Sequence, residues 1–351
     1  MKNKQSAFGS IKSVIGAVNR VGPLAAFLIL CIALQLVTGG KFLTGANITN
    51  IFRQIPTVAL MALGMLHVIL LGGIDLSAGA LLAIGICSAG VMVRYEILPM
   101  NNFTGIILLL ICVVVSTAFG ALNGILLTKL RLPHPFISTM GSKYVCRGLA
   151  LLITGACTIS GFPESTLVVG TYKVFGGLPL SFLLMIVIYC LSHVFFTKTA
   201  LGRKIYSLGG NKEAAKFAGV NIDRVQIYCY AASGFFCGLA GIVYMGRLDS
   251  AVPLAEQDGD ADAIASCIIG GASFLGGKGN VWGTLIGAFI IQVIRNGCNL
   301  LKLSTDLQQI VIGAIIIIAV FIDVLRGEME QKNKLQAIAK ANEAQDEGQE
   351  A

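Results

Sequence analysis

The chain alternates apolar runs with short polar breaks. The runs lie at about 21–38, 52–72, 77–94, 104–128, 136–154, 178–197, 225–246, 262–275, 281–300 and 307–325. A helix needs about 20 apolar residues to cross a bilayer. The pattern therefore predicts an all-α polytopic membrane protein with about ten transmembrane helices. The run at 262–275 is short and glycine-rich, which predicts an irregular span. The chain divides into an amino-terminal segment 1–20, a membrane body 21–326 and a charged tail 327–351. In the first segment Phe8, Ile11, Ile15 and Val18 share one helical face, so it reads as an interfacial helix or as a basic leader. The run Val21–Val37 follows Lys2, Lys4, Lys12 and Arg20 as a signal peptide would. It lacks a small-residue cleavage site, so a retained first span is the expectation. The tail after Arg326 is polar, without an apolar stripe.

Composition supports this reading. Hydrophobic residues make up 55% and charged residues 13%, against about a quarter charged in soluble chains. The net charge of +8 does not point to nucleic acid, because the basic residues collect at the ends of runs. With the amino terminus inside and ten alternating spans, the inner segments hold 17 Lys and Arg, the outer ends 7, and Lys143 and Arg147 fall within a span. The positive-inside rule then predicts cytoplasmic termini. The stretch 249–262 falls outside and carries Asp249, Glu256, Asp258, Asp260 and Asp262, as a rim for a soluble partner or a merely solvated loop. Ten cysteines without a CxxC pair read as small core residues, and the three histidines are too scattered to predict a metal site.

One loop does not fit a bilayer. Residues 197–224 hold Lys198, Arg203, Lys204, Lys212, Lys216 and Arg224 against Glu213 and Asp223. Within it Asn211 suits an N-cap, Lys212–Ala218 favours helix, and Gly219 suits a left-handed C′ position. Two turns of helix are marginal alone, so a docking role is expected.

Two glycine-rich breaks stand in opposite halves: Gly72–Gly79 and Gly270–Gly279. The second mimics a phosphate loop but fails, with Ala272 where the first glycine belongs and Gly279 where Ser or Thr belongs. The pair reads as broken spans beside a transport pathway or as tight helix packing. Asp75 in the first break either caps the helix starting near Ser77 at an aqueous interface, or contacts substrate, or acts as a pivot. Asn123, Thr139, Arg147, Asn296, Asn299 and Gln308 are polar for their depth. With Asp75 and Ser77 they form the candidate set for the pathway. Each has helix-to-helix bonding as its plainer alternative.

These segments carry a resemblance in order: GGIDLSAG, GALNG, PFISTMG…RG, ALGRKIYSLGGNKEAAKFAGVN, DAIASCIIGGASFLGGKGNVWGTLIGA and NGCNLL. Over roughly 45–325 the chain resembles the permease subunits of bacterial ATP-binding-cassette sugar importers of the ribose/xylose/galactose group. The resemblance implies a homodimer of permeases in the bacterial inner membrane, working by alternating access. It implies a cytoplasmic ATPase that binds ATP and Mg, and a periplasmic or lipid-anchored sugar-binding protein. It implies no cofactor and no catalysis in this chain. The helix at Asn211–Gly219 becomes the coupling helix, with Gly210, Asn211, Lys212, Glu213, Ala214, Ala215, Ala218 and Gly219 as its ATPase contact. The three alanines would permit close approach. The chain departs from the family's pattern in three places: Asp260-Ala261-Asp262-Ala263-Ile264-Ala265-Ser266 replaces E-L-D-A-I-A-A, Arg295 stands where a small or amide residue is usual, and Ile312 where lysine is frequent. Alternatives are a permease for branched-chain amino acids or nucleosides, and a proton-coupled secondary transporter with Asp75 as carrier.

Overall fold

The computed structural model describes residues 23–321 and residue 324. The expectations for the amino-terminal segment and the charged tail lie outside the described residues. Thirteen helices are described: α1 Pro23–Val37, α2 Gly45–Ile69, α3 Ala78–Arg94, α4 Asn102–Lys129, α5 Pro135–Thr154, α6 Glu164–Thr171, α7 Leu180–Lys198, α8 Ala200–Gly210, α9 Lys212–Phe217, α10 Ile222–Leu248, α11 Gly259–Ile269, α12 Val281–Leu300 and α13 Thr305–Phe321. Two antiparallel ladders of two residues per strand join the connecting segments. Ile159–Ser160 pairs with Ser250–Ala251, and Lys173–Val174 with Leu178–Pro179. The protein is thus mostly rather than purely helical.

Each predicted run holds a helix, with shifted ends. By length and composition five are long and apolar enough to cross a membrane: α2, α4, α7, α10 and α12. α2 begins at Gly45, ahead of the expected 52. The expected span 262–275 is helical only to Ile269, because Gly270 and the left-handed Gly271 end it. The basic loop holds two helices instead of one. α8 was not anticipated, and Thr199 caps it by accepting from Gly202 N at 3.0 Å.

α2 is the axis of the fold. Of its most apolar window 83% is buried, against 28% for α4 and α7. α10, α11 and α12 pack on α2, and α4 lies outside α10. This is the order expected when lipid, not water, surrounds the protein, since outward apolar faces then carry no penalty. α4 and α10 approach through small residues on both helices. A Cβ on Gly120 would strike Tyr230 O at 2.5 Å, and one on Gly238 would meet Val113 Cα at 2.7 Å. Gly120 and Gly124, like Gly234 and Gly238, are spaced by four, which puts them on one face and lets backbones touch. The buried Tyr189 hydroxyl fastens α7 to α2 by donating to Ala59 O at 2.7 Å.

Candidate functional site

Two parts of the molecule invite a functional reading, one at each end of α10. At the Ile222 end, the end predicted to be cytoplasmic, α9 has the predicted caps. Asn211 Oδ1 accepts from Ala214 N at 2.9 Å. Gly219 is left-handed at φ 78°, and Val220 N donates back to Ala215 O at 3.0 Å. One expectation needs correction. Ala215 is only 4% exposed and packs into the core, so it is no contact for a partner. Lys212, Glu213, Ala214 and Ala218 are exposed, and so is Phe217, at 88%. Phe217 was missed, although an aromatic ring in a charged loop was a legible signal.

The carboxyl end of α8 is clasped between the two glycine breaks. Gly277 N donates to Leu70 O at 2.9 Å. A Cβ on Gly209 would run into Leu70 O, and one on Gly277 would lie 2.8 Å from Gly210 Cα. Tyr206 adds a hydrogen bond from its hydroxyl to Gly279 O at 2.8 Å. The breaks from opposite halves of the chain therefore meet each other and the loop helices at one point.

Asp75 sits just above this junction and is fully buried, not at an aqueous interface. Oδ1 accepts from Ser77 N at 3.0 Å and Ser77 Oγ at 2.5 Å, and Oδ2 accepts from Ser233 Oγ at 2.7 Å. Asn123 Nδ2 donates to Ser77 Oγ at 2.9 Å. Thr139 Oγ1, 3.4 Å from Ile74 O, closes the cluster. Asp75, Ser77, Asn123 and Thr139 thus come together as a buried helix junction binding α3, α4, α5 and α10. Asp75 and the Ser77 amide form an Asx turn just ahead of α3, but no side chain caps the helix at its Ser77 N-cap, so the expected capping role is not met.

At the Leu248 end charged side chains dominate. Lys143 Nζ lies 2.8 Å from Asp260 Oδ2. Arg295 grips Asp262 bidentately, Nε to Oδ2 at 2.7 Å and Nη2 to Oδ1 at 2.9 Å. Arg147 Nη1 donates to Pro253 O and Ala255 O at 2.8 and 2.9 Å. Asp249 Oδ1 accepts from Phe162 N at 3.0 Å. The acidic stretch 249–262 is therefore largely turned inward and is not a free acidic rim. Burial pushes the Glu256 carboxyl above its usual range, and the nearby Asp262 charge pushes the same way; Arg247, Arg295 and Arg147 oppose them.

Of these groups, Arg247, Glu256, Asp262 and Arg295 line a polar cavity of about 260 Å³, built from α2, α10, the following loop, α11, α12 and α13. Asn299 and Gln308 line it, the two members of the predicted set that do so. Gln308 Nε2 donates to Asn299 Oδ1 at 2.9 Å. Asn296 instead exchanges two 2.9 Å bonds with Asn47 and ties α12 to α2. Arg147 braces the loop between α10 and α11. Reading the sequence missed Gln54, Tyr244, Arg247 and Gln292 as cavity residues. Gln54 and Gln292 carried the same signal as Gln308, an amide in an apolar run, and they bond each other at 2.7 Å.

Residues 47–320 match the family described as branched-chain amino acid transport system / permease component. The ribose import permease protein of Haemophilus influenzae is 36% identical over 84% of this chain and 90% of its own length. The ribose import permease protein of Bacillus subtilis is also 36% identical, over 88% of this chain and 94% of its own length. The D-allose transport system permease protein of Escherichia coli reaches 38% over 80% of this chain and 84% of its own length. A match of this extent, on a helical body with several membrane-length apolar helices, settles the class: the chain belongs to this permease family and is a membrane-embedded permease of the ATP-binding-cassette importer type.

Proposed function

We propose that this chain is the permease subunit of an ATP-driven importer for a monosaccharide, a ribose-like pentose or a hexose. It works as a homodimer by alternating access, with ten spans and both termini in the cytoplasm. A cytoplasmic ATPase holds ATP and Mg, and an external sugar-binding protein delivers the solute. The segments 1–20, 21–326 and 327–351 form its cytoplasmic or interfacial amino-terminal segment, membrane body and cytoplasmic tail, and 198–224 its coupling loop.

The observation that carries this reading is the seat of α9. A two-turn helix with ordered caps presents an exposed Phe217 and three charges, while its neighbour α8 rests on both glycine breaks. A push on α9 reaches the backbone of both halves directly, through Gly209 and Gly277. That is what a passive permease needs from an external motor. Relatives whose names specify ribose, allose and fructose support sugar as the cargo.

The family description favours one second reading, a branched-chain amino acid cargo. Proteoliposomes containing the permease, its ATPase and its binding protein separate the two. Radiolabelled D-ribose should accumulate only with ATP, and radiolabelled leucine should not. Accumulation of leucine in place of ribose reverses the cargo. Ribose uptake that ignores ATP and collapses with a protonophore would favour a proton-coupled carrier using Asp75.

A further inference from the structure

The cavity at the Leu248 end of α10 has a lining chosen for a particular chemistry. Its floor is buried, with Gln292 at 4% and Asp262 at 2% exposure, and its mouth is rimmed by the exposed Gln257, Asp258 and Asn299. Val58 is its one aliphatic lining residue; the rest are amides, carboxylates, guanidinium groups, Gly259 and Tyr244. A branched aliphatic side chain would find almost no apolar surface there. Of the charged groups in the lining, Arg295 and Asp262 neutralise each other through two hydrogen bonds, and Arg247, Glu256 and Asp258 stand beside them. A polyhydroxylated solute asks for planar groups that donate and accept side by side, facing vicinal hydroxyls. The Gln54–Gln292 and Asn299–Gln308 pairs supply such groups, each joining α12 to a neighbouring helix. The Arg295–Asp262 pair holds its guanidinium by Nε and Nη2, which leaves Nη1 to donate to a hydroxyl. At about 260 Å³ the space lies just below the usual range of small-molecule pockets, about 300–1,000 Å³, which suits a small solute.

From this lining we infer that the permease has its own monosaccharide-binding site, a way station between the external binding protein and the membrane interior. The inference rests on the importer reading above and deepens it, placing part of the sugar selectivity in this chain. Gln292 and Asn299 contact the sugar hydroxyls directly, and Arg295 orients the site through Asp262 while donating one bond. The site is weak by necessity, because a tight site would hold the cargo and stall turnover.

The test uses the full-length permease in lipid nanodiscs with its ATPase and without the binding protein. Tritiated D-ribose is the probe, in a scintillation proximity assay. The site predicts saturable binding in the millimolar range, displaced by unlabelled pentose and not by leucine. Gln292→Ala and Asn299→Ala should each weaken binding at least about tenfold while the ATPase still co-purifies, which excludes misfolding. Arg295→Lys, which keeps charge but loses the bidentate fork, should weaken it less. Absence of saturable binding, binding untouched by both alanine variants, or equal displacement by leucine overturns the site. ATP-driven ribose uptake with the binding protein is measured in parallel. Uptake without direct permease binding refutes this inference and leaves the importer reading standing.

Discussion

At its Ile222 end α10 stands beside a junction made of backbone, where Gly209, Gly277 and Leu70 touch with no side chain between them. At its Leu248 end it meets a cavity made of side chains, where Arg295 and Asp262 pair across helices. The first kind of contact has little freedom, since main chains in van der Waals contact and joined by the Gly277–Leu70 hydrogen bond cannot be pressed together without displacing each other. The second can yield, because side chains turn about their own bonds without moving the helices that carry them. A transmission point needs the former and a passage for cargo needs the latter. The contrast therefore assigns force transfer to one end and solute handling to the other.

The sharpest way to break that contrast is at the side-chain end. Arg295→Ala leaves the Asp262 carboxylate buried and unpaired, at a cost of about 3–5 kcal/mol. It should lower the thermal unfolding temperature of the solubilised protein steeply. The double variant Arg295→Ala with Asp262→Ala should regain most of the loss. A double variant as unstable as the single would show that this end, too, is rigid. At the backbone end Gly209→Val forces a branched side chain into Leu70 O, costing about 3 kcal/mol as overpacking does. No side-chain substitution elsewhere should rescue it, because the obstacle is a carbonyl. Recovery by a second-site side-chain change would refute the distinction.

A smaller effect separates docking from folding. Phe217→Ser should leave unfolding unchanged, since the ring is 88% exposed. It should weaken ATPase capture by roughly thirtyfold, the equivalent of about 2 kcal/mol for an interfacial aromatic anchor. Ala214→Glu should act in the same direction. Pull-down of the ATPase at wild-type strength by both variants would remove α9 from the docking surface.

Much of this layout was legible in the chain before its structure. Apolar runs located the helices, because membrane spans are set by length and polarity alone. Asn211 and Gly219 marked both ends of α9, because capping is a local property. Two things were not legible. Asp75 offered several roles, and only the fold decides that Ser233, 158 positions away, satisfies its second oxygen. The pathway candidates were likewise split by tertiary structure: Asn296 met Asn47 on α2, while Asn299, one turn on, faced the cavity. Period and polarity say that a residue is polar inside an apolar run, not which neighbour it will find. The pairing of Arg295 with Asp262 is of the same kind. Both were visible as charges, but the 33-residue separation hid their partnership.

The smallest predicted effect tests whether the junction stands on its own. Thr199 caps α8 by accepting from Gly202 N at 3.0 Å while donating to Phe195 O at 2.7 Å. Thr199→Ala removes both bonds and should cost about 1 kcal/mol, confined to the first turn. Hydrogen exchange then reads the two ends of α8 separately. The Gly202 amide should exchange several times faster, as its opening no longer breaks a bond. The Gly277 amide, bonded to Leu70 O at 2.9 Å, should keep its protection. That amide is shielded by backbone packing around Gly209 and not by the amino-terminal cap of α8. If both amides lose protection together, α8 opens as one unit from cap to clasp. Force applied at α9 would then be spent in unwinding α8 instead of passing to the two glycine breaks.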